Sequence, residues 1–377
     1  MASYRGVMAR DRDDDACPGA LQVHQAADGA LARIRIPGGM ITADQLAALA
    51  IAATEFGSAS LELTSRGNVQ IRGITDETAV AEAVATAGLL PSPTHERVRN
   101  IVASPLTGRR GGIADVRNVV RDLDEALQRD AGLAELPGRF WFGIDDGRGD
   151  VSGLGADVGA HLVATDCAAL LVAGTDTGVR IPFGQIVTTL VEVSRRFIES
   201  RGTAWRTTEL DDLTPLLDGF VADVAPGGAW PPVLRPPVGW IEQDDGNVAL
   251  GAAVPLGVLG ARVAEYLAAI EAPLVITPWR SVLVCDLDEG VADVALRVLA
   301  PMGLVFDEAS PWLDVSSCTG SPGCARSAAD VRRDAADAAR DPSDVHRHFV
   351  GCDRACGSPP GSQVLVATSN GYHQRHP

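Results

Sequence analysis

The chain has 377 residues, 46% of them hydrophobic and 21% charged, with a formal net charge of −17. That length accommodates two or three packed lobes, the acidic balance argues against non-specific nucleic-acid binding, and no apolar run reaches the roughly 20 residues needed to span a bilayer. Met1 to Asp15 is polar, carries both signs of charge and lacks the apolar centre of a secretory signal, so a cytoplasmic protein with no nucleic-acid and no membrane partner is expected. All 32 basic residues are Arg, since the sequence holds no Lys. Genomic base composition is the plain cause. The chemical consequence is that no lysine amine is available for acid, base or Schiff-base work, and anion recognition falls to guanidinium groups, which pair bidentately with carboxylates.

In chain order, Leu31 to Ile36 reads as a strand followed by Pro37-Gly38-Gly39, and Ala43 to Phe56 has helical apolar spacing. Leu61 to Ile71 alternates as a strand pair or one long strand, and a helix over Asp76 to Ala87 ends at Gly88. The same order returns later: a strand over Val248 to Val254 with Pro255 and Gly257 after it, a helix over Leu259 to Ile270, a strand unit over Leu274 to Val284, and a helix over Asp288 to Leu299 closed near Gly303. Thr64 matches Thr277, Val69 matches Val282, and Asp76-Glu77 matches Asp288-Glu289, which indicates a duplicated α+β unit and a site at its seam. Between the copies, Asp115 to Asp130 and Pro182 to Arg201 read as helices, Arg139 to Ile144 and His161 to Val172 as strands, and Pro226 to Gly239 as a linker. Ser327 to Arg340 is a polar, Ala-rich helix within the last segment.

Four of the seven Cys cluster near the C-terminus: Cys318 and Cys324, then Cys352 and Cys356, in the pattern C-x5-C…C-x3-C. An odd Cys total in a chain without a secretory signal argues against a disulfide framework. Thiolates hold zinc or iron–sulfur clusters. A five-residue gap containing Gly320 and Gly323 suits a [4Fe–4S] cluster better than zinc, because backbone amides can approach the sulfides there. Zinc and four inert thiols remain the alternatives. Cys17, Cys167 and Cys285 are isolated and are expected to be ordinary core residues.

With these cysteines, the duplication and the run Leu63-Thr64-Ser65-Arg66-Gly67-Asn68-Val69-Gln70-Ile71-Arg72-Gly73, the chain resembles the sulfite/nitrite reductase superfamily from about Pro18 to Pro360. Within it the chain is most similar to the precorrin-3B synthase family, through Ala16 to Leu21, Leu63 to Arg66, Ser104 to Gly108, Ile144 to Gly147 and Thr277 to Arg280. The resemblance implies an α+β fold with duplicated ferredoxin-like halves, pseudo-twofold symmetry and two cluster/substrate lobes. The expected divisions are residues 1–95 and 236–309 for the halves, 96–235 for the first reductase-type lobe, and 310–377 for the cluster-binding region of the second. It implies a monooxygenase that uses O2 to hydroxylate precorrin-3A, with lactone formation, in cobalamin biosynthesis. NADH would be the ultimate electron source, either directly or through an electron-donor protein as partner. A mononuclear non-haem iron is also implied, and the sequence shows no ligand triad for it.

The other reading the resemblance carries is a sirohaem-dependent assimilatory sulfite or nitrite reductase. The Arg of those reductases' Thr-Thr-Arg-Gln motif falls at Arg66, but its Gln falls at Gly67, and a second Arg falls at Arg99. The paired lysines of their Lys-x-Lys strand fall at Arg139 and Trp141. Arg is a poor proton donor near neutral pH, which favours the monooxygenase over a six-electron reductase. A third reading is a non-enzymatic cluster- or tetrapyrrole-binding protein. A macrocycle bearing many carboxylates needs an Arg-lined cleft, and Arg66, Arg72, Arg99, Arg109, Arg110 and Arg139 are the candidates to line it. Arg66 and Arg72 would share one strand face if the strand is regular. Asp145 to Asp150 is expected to be a hairpin turn, His161 a satisfied core residue, and His346 and His348 solvent-exposed.

Overall fold

The computed structural model describes Asp15 and Cys17 to Arg375. The first ferredoxin-like half contains β1 (His24–Ala26), β2 (Gly29–Ile34), β3 (Met40–Ile41), α1 (Ala43–Phe56), β4 (Ser60–Leu63), β5 (Val69–Ile74) and α2 (Glu77–Thr86). Helix α1 starts where Thr42 and Gln45 cap each other's backbone N–H groups, and it buries Leu46, Leu49, Ala50 and Ala53 at helical spacing. The intervening lobe contains β6 (Ile101–Ala103), α3 (Arg117–Arg129), β7 (Phe142–Asp145), β8 (Val158–Ala164), β9 (Cys167–Val172), β10 (Thr175–Pro182) and α4 (Ile186–Ser200). The second half repeats the first with β11 (Gly239–Glu242), β12 (Val248–Ala253), β13 (Val258–Gly260), α5 (Ala261–Ala268), β14 (Leu274–Ile276), β15 (Ser281–Leu287) and α6 (Glu289–Leu299). The last segment holds β16 (Val315–Ser317), α7 (Val331–Ala338), β17 (Arg347–Val350), β18 (Gln363–Thr368) and β19 (Gly371–Gln374).

The duplication is visible in the sheets. One has the order β1-β2-β5-β4-β13 and the other β11-β12-β15-β14-β3, so each half lends its short third strand to the edge of the other's sheet. Both halves share one apolar core, in which Leu46, Leu61 and Ile71 join Leu250, Leu267 and Val284. The exchange demands close backbone approach: a Cβ on Gly39 would lie 1.9 Å from the Ile276 carbonyl oxygen. The hairpin turns also match. Thr64 N–H donates to Asn68 O at 2.9 Å, as Thr277 N–H does to Ser281 O at 2.9 Å. Gly67 and Arg280, at the same place in the two turns, are both left-handed, with φ of 65° and 57°. For Gly67 that conformation is free of Cβ strain; for Arg280 it is not.

The two remaining sheets have the orders β10-β9-β8-β7-β6 and β16-β17-β18-β19. In the first, β6, β7 and β8 run parallel; in the second, β16, β17 and β18 do. Each packs on its own apolar core, one around Phe140, Phe142 and Phe197, the other around Val315, Val331 and Phe349. Among the described residues no helix is long and apolar enough to cross a membrane.

Several expectations change at this level. Arg66 lies in the turn between β4 and β5, so it shares no strand face with Arg72. The expected strand His161 to Val172 is two strands folded back at residues 165–166. The segment after Asp145 joins two parallel strands and is not a hairpin. There the Asp145 carboxylate accepts the backbone N–H groups of Gly147, Gly149, Val151 and Ser152 at 2.9–3.0 Å. His348 is fully buried, since it sits mid-strand between β16 and β18.

Candidate active site

Strand topology explains how cysteines 28 or more residues apart can meet. Neighbouring β16 and β17 are parallel, with Ser317 opposite Phe349, so both chains leave the sheet at the same edge. Cys318 follows β16 directly, and Cys352 follows β17 after Gly351. The two loops interlock there: Cys318 N–H donates to Phe349 O at 2.9 Å, and Ala328 N–H to Gly351 O at 2.9 Å. Cys318 Sγ accepts the N–H of Gly351 at 3.3 Å and that of Gly320. Desolvation pushes the Cys356 thiol up, and the thiols of Cys318, Cys352 and Cys324 add to that rise electrostatically. Burial likewise raises Cys318, with Cys324 and Cys352 contributing in the same sense. Among the described residues, no group of three or more His, Cys, Asp or Glu side chains is gathered closely enough to hold a single metal ion.

Four thiols close enough to raise one another electrostatically, with two peptide N–H groups aimed at Cys318 Sγ, are a donor set that suits a multinuclear cluster held at separate corners better than a single ion. At the matching strand ends of the other lobe, Ser104 follows β6 and Asp146 follows β7. Ser104 there accepts the Asp146 N–H at 3.1 Å and donates to Asp150 at 2.6 Å. Burial and the Asp145 charge push the Asp150 carboxyl up to about 7.

Beside the cysteine loops lies a cavity of about 280 Å³. Arg66 comes from the β4–β5 turn, Arg280 from the β14–β15 turn, and Arg206 from the segment after α4; Trp141, Trp279 and Trp312 supply broad apolar walls. Ser316 and Gly357 to Pro360 close the side toward the cysteines. Asp157, wholly buried, organises one wall. Its carboxylate accepts Trp141 N–H at 3.0 Å, Thr207 N–H at 2.8 Å and Arg206 Nε at 2.6 Å. Desolvation first, and the nearby Arg206 cation after it, lower Arg66 to about 10. Two guanidinium groups that repel one another across a desolvated space favour an anion between them. His346, also lining the cavity, bonds Ser316 Oγ at 2.7 Å; the same hydroxyl contacts His348 Nδ1 at 2.7 Å, and His348 Nε2 meets the Cys356 carbonyl at 3.1 Å. Burial drives His348 down to about 3, so its ring is neutral.

Of the six arginines read from the sequence, Arg66 reaches this cavity. Arg72 forks onto Asp28 at 2.9 and 2.8 Å, Arg99 onto Asp124 at 2.6 and 2.8 Å, and Arg109 onto Asp286 at 2.8 and 2.9 Å. Arg110 contacts the Glu242 carbonyl at the surface, and Arg139 lies over the Trp205 ring at 5.0 Å. Arg206 and Arg280 were missed as cavity residues. Arg280 had a signal, since it occupies the turn position duplicated from Gly67; Arg206 lies in irregular chain and had none.

The nitrite/sulfite reductase ferredoxin-like half-domain family matches residues 24–82. A precorrin-3B synthase from Sinorhizobium sp is 27% identical over 380 residues, covering 95% of this chain and 81% of that protein. A ferredoxin–nitrite reductase from Synechococcus elongatus is 34% identical over 127 residues, 31% of this chain and 25% of that protein. The solved structure of the Mycobacterium tuberculosis NirA protein superposes with a TM-score of 0.76 at 20% identity, covering 92% of this chain and 73% of that one, which establishes likeness of fold. The exchanged strands, the paired lobes and these relatives agree on a sulfite/nitrite reductase-like fold that contains a nitrite/sulfite reductase ferredoxin-like half-domain.

Proposed function

We propose that this chain is a precorrin-3B synthase: an O2-dependent monooxygenase that hydroxylates precorrin-3A, with lactone formation, in cobalamin biosynthesis. The observation that carries the reading is the cavity that joins Arg66, Arg206 and Arg280 to three Trp walls directly against the cysteine loops. A carboxylate-rich macrocycle matches both features: its acids pair with guanidinium groups, and its flat π-surface lies on aromatic rings. The relative of that name aligned over 95% of the chain supports the choice.

Cys318, Cys324, Cys352 and Cys356 would hold a [4Fe–4S] cluster, which supplies one-electron transfer when bound. Inserting one oxygen atom into the substrate and reducing the other to water takes two electrons and two protons. NADH would provide the electrons through a donor protein. Arg66, Arg206 and Arg280 would fix the substrate's carboxylates, and the Trp walls would exclude water. The Ser316 hydroxyl, set between His346 at the cavity and neutral His348 beneath it, holds the wall next to the cysteines in one arrangement.

The absence of Lys and the presence of Trp141 in the cavity favour this reading over a sirohaem reductase, which has protons to deliver to a bound oxyanion. The test is incubation of purified, reduced protein with precorrin-3A under O2 and under nitrogen, with product mass as readout. An O2-dependent gain of one oxygen atom is expected. Stoichiometric sirohaem in the purified protein together with sulfite or nitrite reduction would overturn the reading.

A further inference from the structure

Each ferredoxin-like half sends one arginine across to the cysteine lobe, and both reach the same kind of atom. Arg72, on β5 of the first half, donates to the carbonyl of Gly323 at 2.8 Å, immediately before Cys324. Arg280, in the β14–β15 turn of the second half, donates to the carbonyl of Gly357 at 2.9 Å, immediately after Cys356. Each contact falls beside the second cysteine of its pair. A Cβ on Gly323 would come within 3.0 Å of Asp28 Oδ2, and one on Gly357 within 2.5 Å of Arg280 itself.

The two arginines are differently neutralised. Arg72 is locked by Asp28 and lies 3.8 Å from Glu62, which also pairs with Arg332 of α7. Arg280 makes no ion pair among the described residues, is desolvated, and feels Glu62 and the Cys318 thiol through space. It also holds a left-handed backbone, φ 57°, that a non-glycine residue adopts only when its surroundings compel it.

We propose that Arg72 and Arg280 are a matched pair of positioning residues that pin the two cysteine loops against the duplicated frame, and that the unneutralised Arg280 charge also raises the reduction potential of the cluster. This rests on the reading of the four cysteines as cluster ligands. Reduction adds negative charge to the cluster, so a nearby fixed cation stabilises the reduced state. The pinning follows from geometry. Cys324 and Cys356 lie in loops, and each loop is tied to a rigid β-framework by a charge-assisted hydrogen bond.

The experiment uses anaerobically purified full-length protein with Arg72→Gln, Arg72→Lys, Arg280→Gln and Arg280→Lys. Three quantities are read: iron and acid-labile sulfide per chain, the rate of iron transfer to a ferrous chelator, and the midpoint potential by EPR-monitored titration. All four variants are expected to release iron about tenfold faster than wild type, the scale of one lost charged hydrogen bond. Arg280→Gln is expected to lower the equilibrium constant for reduction about tenfold, a shift of ~59 mV to lower potential, whereas Arg280→Lys keeps the charge and the potential. Wild-type release rates and potential in the cluster-loaded Gln variants would overturn the proposal while leaving the cluster assignment standing. Should a Gln variant fail to fold, the matching Lys variant decides, and wild-type release from it overturns the pinning. Wild-type protein without iron and sulfide would overturn both.

Discussion

Asp157→Asn tests how the cavity wall is built. The native carboxylate is wholly buried and accepts from Trp141 N–H, Thr207 N–H, the Thr207 hydroxyl and Arg206 Nε. An amide keeps the shape but replaces one acceptor oxygen with an N–H2 donor. That donor then faces a peptide N–H or the Arg206 guanidinium, and the half-buried cation loses its counter-charge. Breaking a buried ion pair from one side costs about 3–5 kcal/mol, and an unsatisfied buried N–H accounts for about 1–3 kcal/mol of such a loss. We therefore expect about 3–5 kcal/mol of destabilisation in guanidinium unfolding followed by Trp fluorescence. Arg206→Ala should cost less, since Asp157 would retain three donors, and the double variant should cost less than the two singles summed. A loss below about 1 kcal/mol for Asp157→Asn, or strict additivity, would refute the claim that this carboxylate organises the wall.

Arg66→Ala should weaken binding of an octacarboxylate porphyrin about 10- to 100-fold, measured by fluorescence quenching, because one charge-assisted hydrogen bond is worth about 1.5–3 kcal/mol. Unchanged affinity would remove Arg66 from the binding wall. Gly39→Ala should destabilise by more than about 2 kcal/mol or prevent folding, since its Cβ would collide with the Ile276 carbonyl where the halves exchange strands; a wild-type melting curve would contradict the exchange. Asp150 keeps its proton in the folded state up to about pH 7, whereas an unfolded Asp loses it near 3.8. Folding stability contributed by that proton is therefore complete below about pH 4 and lost as pH rises toward 7. Asp150→Asn should gain stability relative to wild type across that window and level off above it, and a pH-independent difference would refute the raised carboxyl.

Local signals carried much of the fold. The helix over Ala43 to Phe56 was readable to the residue, because a Thr-x-x-Gln cap precedes a clean apolar stripe. The duplicated order was readable because turn chemistry at Thr64 and Thr277 repeats it. The exchange of β3 and β13 between sheets was not, since strands of two or three residues have no periodicity and their partners are 196 to 235 residues away. The four cysteines stand out in the sequence by their spacing; that Cys318 and Cys352 leave the sheet at the same edge required knowing that β16 and β17 are parallel neighbours. The arginines were the weakest reading. An Arg beside a motif looks the same in sequence whether it faces a cavity, as Arg66 does, or is spent on a distant carboxylate, as Arg99 is on Asp124. His348 looked exposed because its alternation with His346 matched an edge strand, while its actual neighbours lie on both sides.

The most direct test of the account is native mass spectrometry of anaerobically purified protein, with iron and acid-labile sulfide assayed on the same sample and on Cys324→Ser. One [4Fe–4S] cluster per wild-type chain and its loss from the variant are expected; a single zinc ion, or an intact cluster in Cys324→Ser, would contradict the assignment of these four cysteines as cluster ligands.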